Sequence, residues 1–173
     1  MRHGESEYNV KKLINFDPSV PVHLTENGKK QAEEAAGELK HIRFDAICSS
    51  EFPRARETAE IAGEGRDLEI KIDKRLNEVK FGFEGKYYLE YIEQRNKSGD
   101  IINFKTEGGE SFLDVKARVK QFLEDLKKEN YARVLIVAHE AVVIAARVIF
   151  NELGDEDSLM TNVKNAEYFM FDL

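Results

Sequence analysis

Hydrophobic positions along this chain alternate between two periods, and the alternation itself predicts an architecture. The run Arg133-Val134-Leu135-Ile136-Val137-Ala138 is the most continuous apolar stretch and predicts a strand buried on both faces. Phe44 to Cys48 predicts a short strand, Leu68 to Ile72 alternates like a strand nearer a sheet edge, and Ala166 to Phe171 predicts a final strand. Between these lie segments of helical period. Thr25 is placed to cap a helix running to about His41, with Ala32, Ala35, Ala36 and Leu39 on one small-residue face. Pro53 opens a helix to about Gly63, as proline is tolerated in a first turn. Tyr87 to Asn96 predicts a further helix. Ser111 with Asp114 makes a capping-box start for one in which Phe112, Val115, Val119, Phe122, Leu123 and Leu126 fill one face up to about Glu129. Ala141 to Leu153 predicts an apolar helix. Val10 to Leu24, with Pro18 and Pro21, and Glu78 to Gly85 predict loops.

Strands alternating with helices predict an α/β domain around a largely parallel sheet. In such sheets ligands gather at the carboxyl ends of the strands. Ser49-Ser50 and His139 fall there by sequence, and His3 would join them if a strand preceded it. At 173 residues the chain fits one domain with a real core. Its formal net charge of −7 argues against a general nucleic-acid or anionic-membrane binder, so an anionic ligand needs a locally positive pocket. The single cysteine, Cys48, excludes an intrachain disulfide, and no Cys/His cluster has zinc spacing. With no signal-like or membrane-length apolar run, the expected location is cytoplasmic.

Residues with chemical potential are spread through the chain. Arg2-His3-Gly4 sets a guanidinium that can fork onto two phosphoryl oxygens beside an imidazole that can attack phosphorus. Gly4 frees the backbone to turn past a bound anion, and Asn9 adds an amide six residues after the histidine. Lys11, Lys12, Asn15 and His23 are the polar candidates of the first loop. Arg54, near the start of a helix, can aim at the anion that Arg2 sees. A carboxyl in the 78–85 loop, if partly buried, can hold a proton for a leaving oxygen. Gly109-Glu110-Ser111 reads mainly as helix capping. His139, as an imidazolium, would add a second cation and donor.

These segments, in this order, resemble the histidine phosphatase superfamily, the fold shared by cofactor-dependent phosphoglycerate mutases and many small phosphatases. The resemblance runs through Arg2-His3-Gly4-Glu5-Ser6 with Asn9, Leu24-Thr25 with Gly28 and Gln31-Ala32, Ser49-Ser50, Arg54-Ala55, Thr58-Ala59, Leu76 with Glu78, Phe81-Gly82, Gly109-Glu110-Ser111 and the strand into His139. It implies a three-layer fold, with a mostly parallel central sheet and helices on both faces. It also implies a metal-independent phosphomonoester hydrolase that needs no cofactor and acts on a small phosphorylated metabolite. His3 is then the nucleophile that becomes phosphohistidine. Arg2, Arg54 and His139 hold the phosphoryl group with Asn9, and Glu78 is the proton donor. A mutase dependent on 2,3-bisphosphoglycerate and an impaired phosphate-binding or regulatory member are the alternatives, and homodimerisation is left open.

The sequence departs from that pattern in four places. Only Met1 stands where an apolar first strand is usual, so residues 1–173 are expected to form one domain lacking most of that strand. Glu140-Ala141 replaces two glycines after His139; the backbone N–H groups of both remain phosphate-binding candidates, and the Glu140 carboxylate must either point away or repel the anion. An arginine usual slightly later is replaced near Ile144. Finally, Gly82-Phe83-Glu84-Gly85 is one residue short, which favours Glu78 over Glu84 as the acid.

Overall fold

The computed structural model describes residues 1–158 and 160–172. Its centre is a parallel three-stranded sheet, β1 (Ala46–Ser49), β2 (Ile70–Ile72) and β3 (Val134–Val137), in the order β2-β1-β3. The first residues extend it beyond β3. Met1 donates its amino group to the Ile136 carbonyl at 2.9 Å, Ala138 N–H donates to Met1, and Arg2 bridges Ala138 in parallel sense. Burial pushes the Met1 amine down to about 5. Because β1, β3 and residues 1–2 all run the same way, Ser50, His139 and His3 leave the sheet at one edge.

Helices cover both faces. On one face α2 (Glu26–Leu39) and α3 (Pro53–Gly63) pack Ala35, Leu39, Phe52, Ala55 and Ala59 against Ile47, Leu135 and Val137. On the other, α5 (Phe112–Leu126) and α6 (Glu140–Ile149) pack Val115, Val119, Phe122, Val142 and Ala145 against Cys48 and Ala138. This is the three-layer α/β arrangement expected. The short helices α1 (Glu7–Lys11) and α7 (Asp155–Ser158) and the helix α4 (Tyr88–Lys97) lie outside that sandwich.

Local chemistry explains where each element starts. The Thr25 side chain accepts from Gly28 N–H at the head of α2, and Ser111 and Asp114 close a full capping box on α5. Ser6 and Asn9 form a second capping box on α1, a helix inside what reads by sequence as the approach to a loop. Glycine at positions 4 and 28 serves close approach: a Cβ on Gly4 would lie 2.3 Å from the Gly28 carbonyl oxygen, and one on Gly28 2.0 Å from that of Glu5. The expected freedom of Gly4 to take unusual backbone angles is not what the fold uses, since its φ is not positive.

The other differences from the sequence expectations are equally local. β3 alternates buried and half-buried residues instead of being uniformly buried: Leu135 and Val137 are enclosed in the α2/α3 core, while Val134 and Ile136 are only partly covered on the α5/α6 side. β1 begins two residues later than expected, and α6 starts at Glu140 and stops at Ile149. The final strand, 166–171, does not form. Ala166 sits at φ 59°, and Glu167 N–H turns back to Lys164, so only the pairs Arg2 N–H to Glu167 O and Ala166 N–H to His3 O join this segment to the sheet.

Candidate active site

The strand ends and the head of α3 converge on one cluster. His3 is 2 % exposed, Arg54 4 % and His139 0 %. Nδ1 of His3 lies 2.6 Å from the Gly4 carbonyl, which can only accept, so Nδ1 carries the proton. Nε2 is left with its lone pair, and Arg54 Nε donates to it at 3.1 Å. The same guanidinium reaches His139 Nδ1 from Nη2 at 3.3 Å, the Asn15 carbonyl from Nη2, and the Asn15 side-chain oxygen from Nη1. With Nδ1 accepting, His139 presents Nε2–H to Ser50 Oγ at 2.8 Å. The two imidazole centroids are 5.1 Å apart and edge-on, and the Phe52 ring packs against His139 and beneath Arg54. Arg54 is held from below as well: Thr58 Oγ1 donates to its carbonyl and accepts from Gly4 N–H, tying α3 to the residue after His3.

Electrostatics follow from this crowding. Burial first, then the charges of Arg54 and Arg2, hold His3 well below the usual imidazole range, and burial with Arg54 does the same for His139. Both rings are therefore neutral at pH 7. For His3 this is the nucleophilic state; for His139 it means that the imidazolium considered from the sequence is not the form held without a bound anion. Burial pulls Arg54 down to about 10, which leaves it charged.

Arg2 enters from the side. Its Nη1 bonds the Val163 carbonyl and pairs with Glu140 Oε2 at 3.3 Å, while Nε is buried without a partner. Glu140 Oε1 accepts from Val163 N–H at 3.0 Å, so the Glu140 carboxylate is spent on Arg2 and Val163. Ala141 lines the cavity from the first turn of α6. Asn9 also lines it, but its side-chain oxygen accepts from Ser6 and Asn165, leaving only the amide nitrogen to face a ligand.

Glu78 lies opposite, with Oε2 3.8 Å from His139 Nδ1 and a side chain 15 % exposed. Burial raises its pKa above the usual carboxylate range against the opposing pull of Arg54. Within Gly109-Glu110-Ser111 the capping expected of that segment is done by Ser111, and Glu110 has a separate role. Glu110 pairs with Arg118 at 3.0 Å and accepts from Lys80 N–H, and Arg118 donates to the Glu78 carbonyl, so the pair braces the Glu78 loop. Glu84 is a clamp: its carboxylate accepts from Phe16 N–H, Asp17 N–H and Asn15 Nδ2. Of the loop candidates, Asn15 joins the cluster and Lys12 lines the cavity. His23 pairs with Glu57, and Lys11 packs on the Tyr8 ring.

These groups open onto a cavity of about 530 Å³ whose far wall is α4 and the aromatic residues Phe81, Tyr88 and Tyr91. Two fixed guanidiniums, an imidazole lone pair and a buried carboxyl of raised pKa around one space suit a tetrahedral oxyanion and its transfer. Among the described residues no group of three or more His, Cys, Asp or Glu side chains is arranged to hold a metal ion, and no helix is long and apolar enough to cross a membrane.

Comparison with known proteins points the same way. The sequence matches the model of the histidine phosphatase superfamily (branch 1) over residues 1–173. It is 35% identical over 150 residues to the adenosylcobalamin/alpha-ribazole phosphatase of Salmonella typhimurium, covering 83% of this chain and 73% of that protein. Among solved structures it resembles the alpha-ribazole phosphatase of Shigella flexneri, at 26% identity and TM-score 0.80, over 96% of this chain and 85% of that one. It likewise resembles a phosphoserine phosphatase of Entamoeba histolytica in complex with 3-phosphoglyceric acid, at 28% identity and TM-score 0.78, over 95% and 84%.

Proposed function

Because this chain belongs to the histidine phosphatase superfamily (branch 1), we propose that it hydrolyses phosphomonoesters of small metabolites through a phosphohistidine on His3. The observation that carries the assignment of residues is the tautomer of His3: Gly4 fixes the proton on Nδ1, and Nε2 points its lone pair at the Arg54 guanidinium.

In the proposed reaction the phosphoryl group enters between Arg2, Arg54 and His139. Its oxygens take the free Nε–H of Arg2 and the donors that Arg54 otherwise gives to His3 and His139. The arriving negative charge favours a proton on His139, which then donates in its turn. His3 Nε2 attacks phosphorus as the bond to the ester oxygen breaks, and Glu78 gives its proton to that oxygen. Water then attacks the phosphohistidine and loses its proton to the Glu78 carboxylate. The P–N bond breaks, phosphate leaves, and both His3 and Glu78 return to their starting states. Glu140 supports turnover in this scheme, since it occupies the Nη1 side of Arg2 and leaves Nε to the substrate.

The test is release of inorganic phosphate from an aryl phosphate, together with trapping of an acid-labile, alkali-stable phosphoprotein. His3→Ala should abolish the trapped species and lower turnover by at least about 1,000-fold. A phosphoprotein that persists in that variant would refute the assignment.

A further inference from the structure

Among the described residues, three buried side-chain polar atoms have no hydrogen-bond partner: Arg2 Nε, Ser49 Oγ and Arg95 Nε. Arg2 and Arg95 both line the 530 Å³ cavity. The unpaired donor of Arg2 is accounted for by the phosphoryl group. Nothing in the reaction above uses Arg95, a half-buried side chain whose Nε is shut off from solvent without an acceptor, and an unsatisfied charged donor costs free energy.

Its placement is specific. Arg95 follows Tyr88, Tyr91 and Ile92 on α4 at spacings of seven, four and three residues, one face of a helix, and all four line the cavity. A ring contact of 4.8 Å between Phe81 and Tyr91 holds that face against the loop that carries Glu78, and one of 5.6 Å between Tyr91 and Phe104 holds it against the segment after α4. Seven residues put Arg95 about 10 Å along the helix axis from Tyr88. Arg95, Tyr88, Glu78 and Glu140 thus line one and the same cavity.

The chain holds 33 acidic and 26 basic side chains, and Arg2, Arg75, Arg118 and Arg147 each have a carboxylate partner. Among the described residues Arg95 has none. An arginine that faces a cavity of an acidic protein and lacks an internal partner has the chemistry of an oxyanion receptor.

We propose that Arg95 binds a second anionic group, a carboxylate or a further phosphate, on the alcohol portion of the substrate. The preferred substrates are then phosphomonoesters whose leaving group carries its own negative charge. This rests on the phosphatase reading above.

The test uses two matched pairs. 3-Phosphoglycerate and glycerol 3-phosphate differ by a carboxylate in place of a hydroxymethyl group; fructose 2,6-bisphosphate and fructose 6-phosphate differ by a second phosphate. The wild-type protein should favour the doubly anionic member of at least one pair by about 10-fold to 100-fold in kcat/KM, the scale of a hydrogen bond to a charged group. Arg95→Met should collapse that ratio toward one, chiefly through KM, and Arg95→Lys should restore part of it. The pair that responds tells carboxylate from phosphate. Equal kcat/KM within both pairs, a preference that survives Arg95→Met, or an equal loss on all four compounds would overturn the proposal. Calorimetric binding of the same compounds to His3→Ala protein, with and without Arg95→Met, gives the same ratios without turnover. A wild-type protein that turns over nothing would thus sink the phosphatase reading, while the binding ratios still decide the role of Arg95.

Discussion

The two ends of the cavity are built differently. At the phosphoryl end His3, Ser50, Arg54 and His139 are all under 5 % exposed, and each is fixed by partners from other elements. At the leaving-group end Tyr87 is 60 % and Leu89 64 % exposed, and α4 begins without a side-chain cap. The polar contacts beyond it, among Ser98, Asp100 and Asn103, are local. In the proposed reaction, chemistry common to every phosphate ester is assigned to the rigid edge of the sheet, where donors need no rearrangement at the moment of reaction. The same proposal assigns discrimination between alcohols to a wall attached mainly by aromatic contacts, which can vary without disturbing the edge.

The sharpest way to break this comparison is at Arg54, which touches His3, His139 and Asn15 at once. Arg54→Met should lower kcat/KM on an aryl phosphate by about 1,000-fold, the upper range for a fixed transition-state donor. The loss should be similar for every substrate, because this end does not see the alcohol. Arg54→Lys keeps the charge but not the fork and should remain severely impaired. Circular dichroism and thermal melting check that each variant is folded. A loss that varied strongly with the leaving group would show that the two ends are not separate.

Glu78 stands at the junction, so its effect should depend on the alcohol. Glu78→Gln should slow hydrolysis of an alkyl phosphate by about 100-fold, within the range of general acid catalysis, and that of a nitrophenyl phosphate far less, because the latter leaves without a proton. The pH dependence has a definite sign. Glu78 must be protonated to donate, and burial raises its pKa above 4.5, so alkyl phosphate hydrolysis falls as pH rises through that raised pKa. His3 must be neutral, and its pKa lies well below 6.5, so the acid limb falls below 6.5. Glu78→Gln should remove the upper limb and leave the lower one. Equal slowing of both esters would reject the proton-donor role.

How much of this was legible in the sequence follows from the range of the interactions. Helices with caps three residues apart, such as Thr25 with Gly28 and Ser111 with Asp114, were readable because their determinants are local. The two histidines and Arg54 could be placed at one sheet edge because parallel strands put their ends together. The contacts that tune them could not. Ser50 meets His139 across 89 positions, and Asn15 meets Arg54 across 39. The neutral state of His139 is likewise a product of burial beside Arg54, which no spacing encodes. The expected last strand failed for a converse reason: its apolar alternation is real, but one left-handed residue, Ala166, redirects the chain.

Glu84 offers the finest test, because its carboxylate reaches the phosphoryl end only through Asn15. Its carboxylate gathers Phe16 N–H at 2.8 Å, Asp17 N–H at 3.0 Å and Asn15 Nδ2 at 3.0 Å, and Asn15 then receives Arg54. Glu84→Gln keeps an acceptor oxygen but removes the charge. Bonds to a charged acceptor are stronger than neutral ones by about 1 kcal/mol, so kcat/KM should fall by about 5-fold, uniformly across alcohols, as Asn15 loosens its hold on Arg54. Glu57 makes the natural control. It anchors the same loop at Leu24 N–H and His23 but bonds neither Asn15 nor Arg54. Glu57→Gln should therefore change kcat/KM by less than about 2-fold while lowering the melting temperature comparably. If both variants lost activity to the same degree, the loop would act on the site through its overall stability, and the route from Glu84 through Asn15 to Arg54 would be wrong.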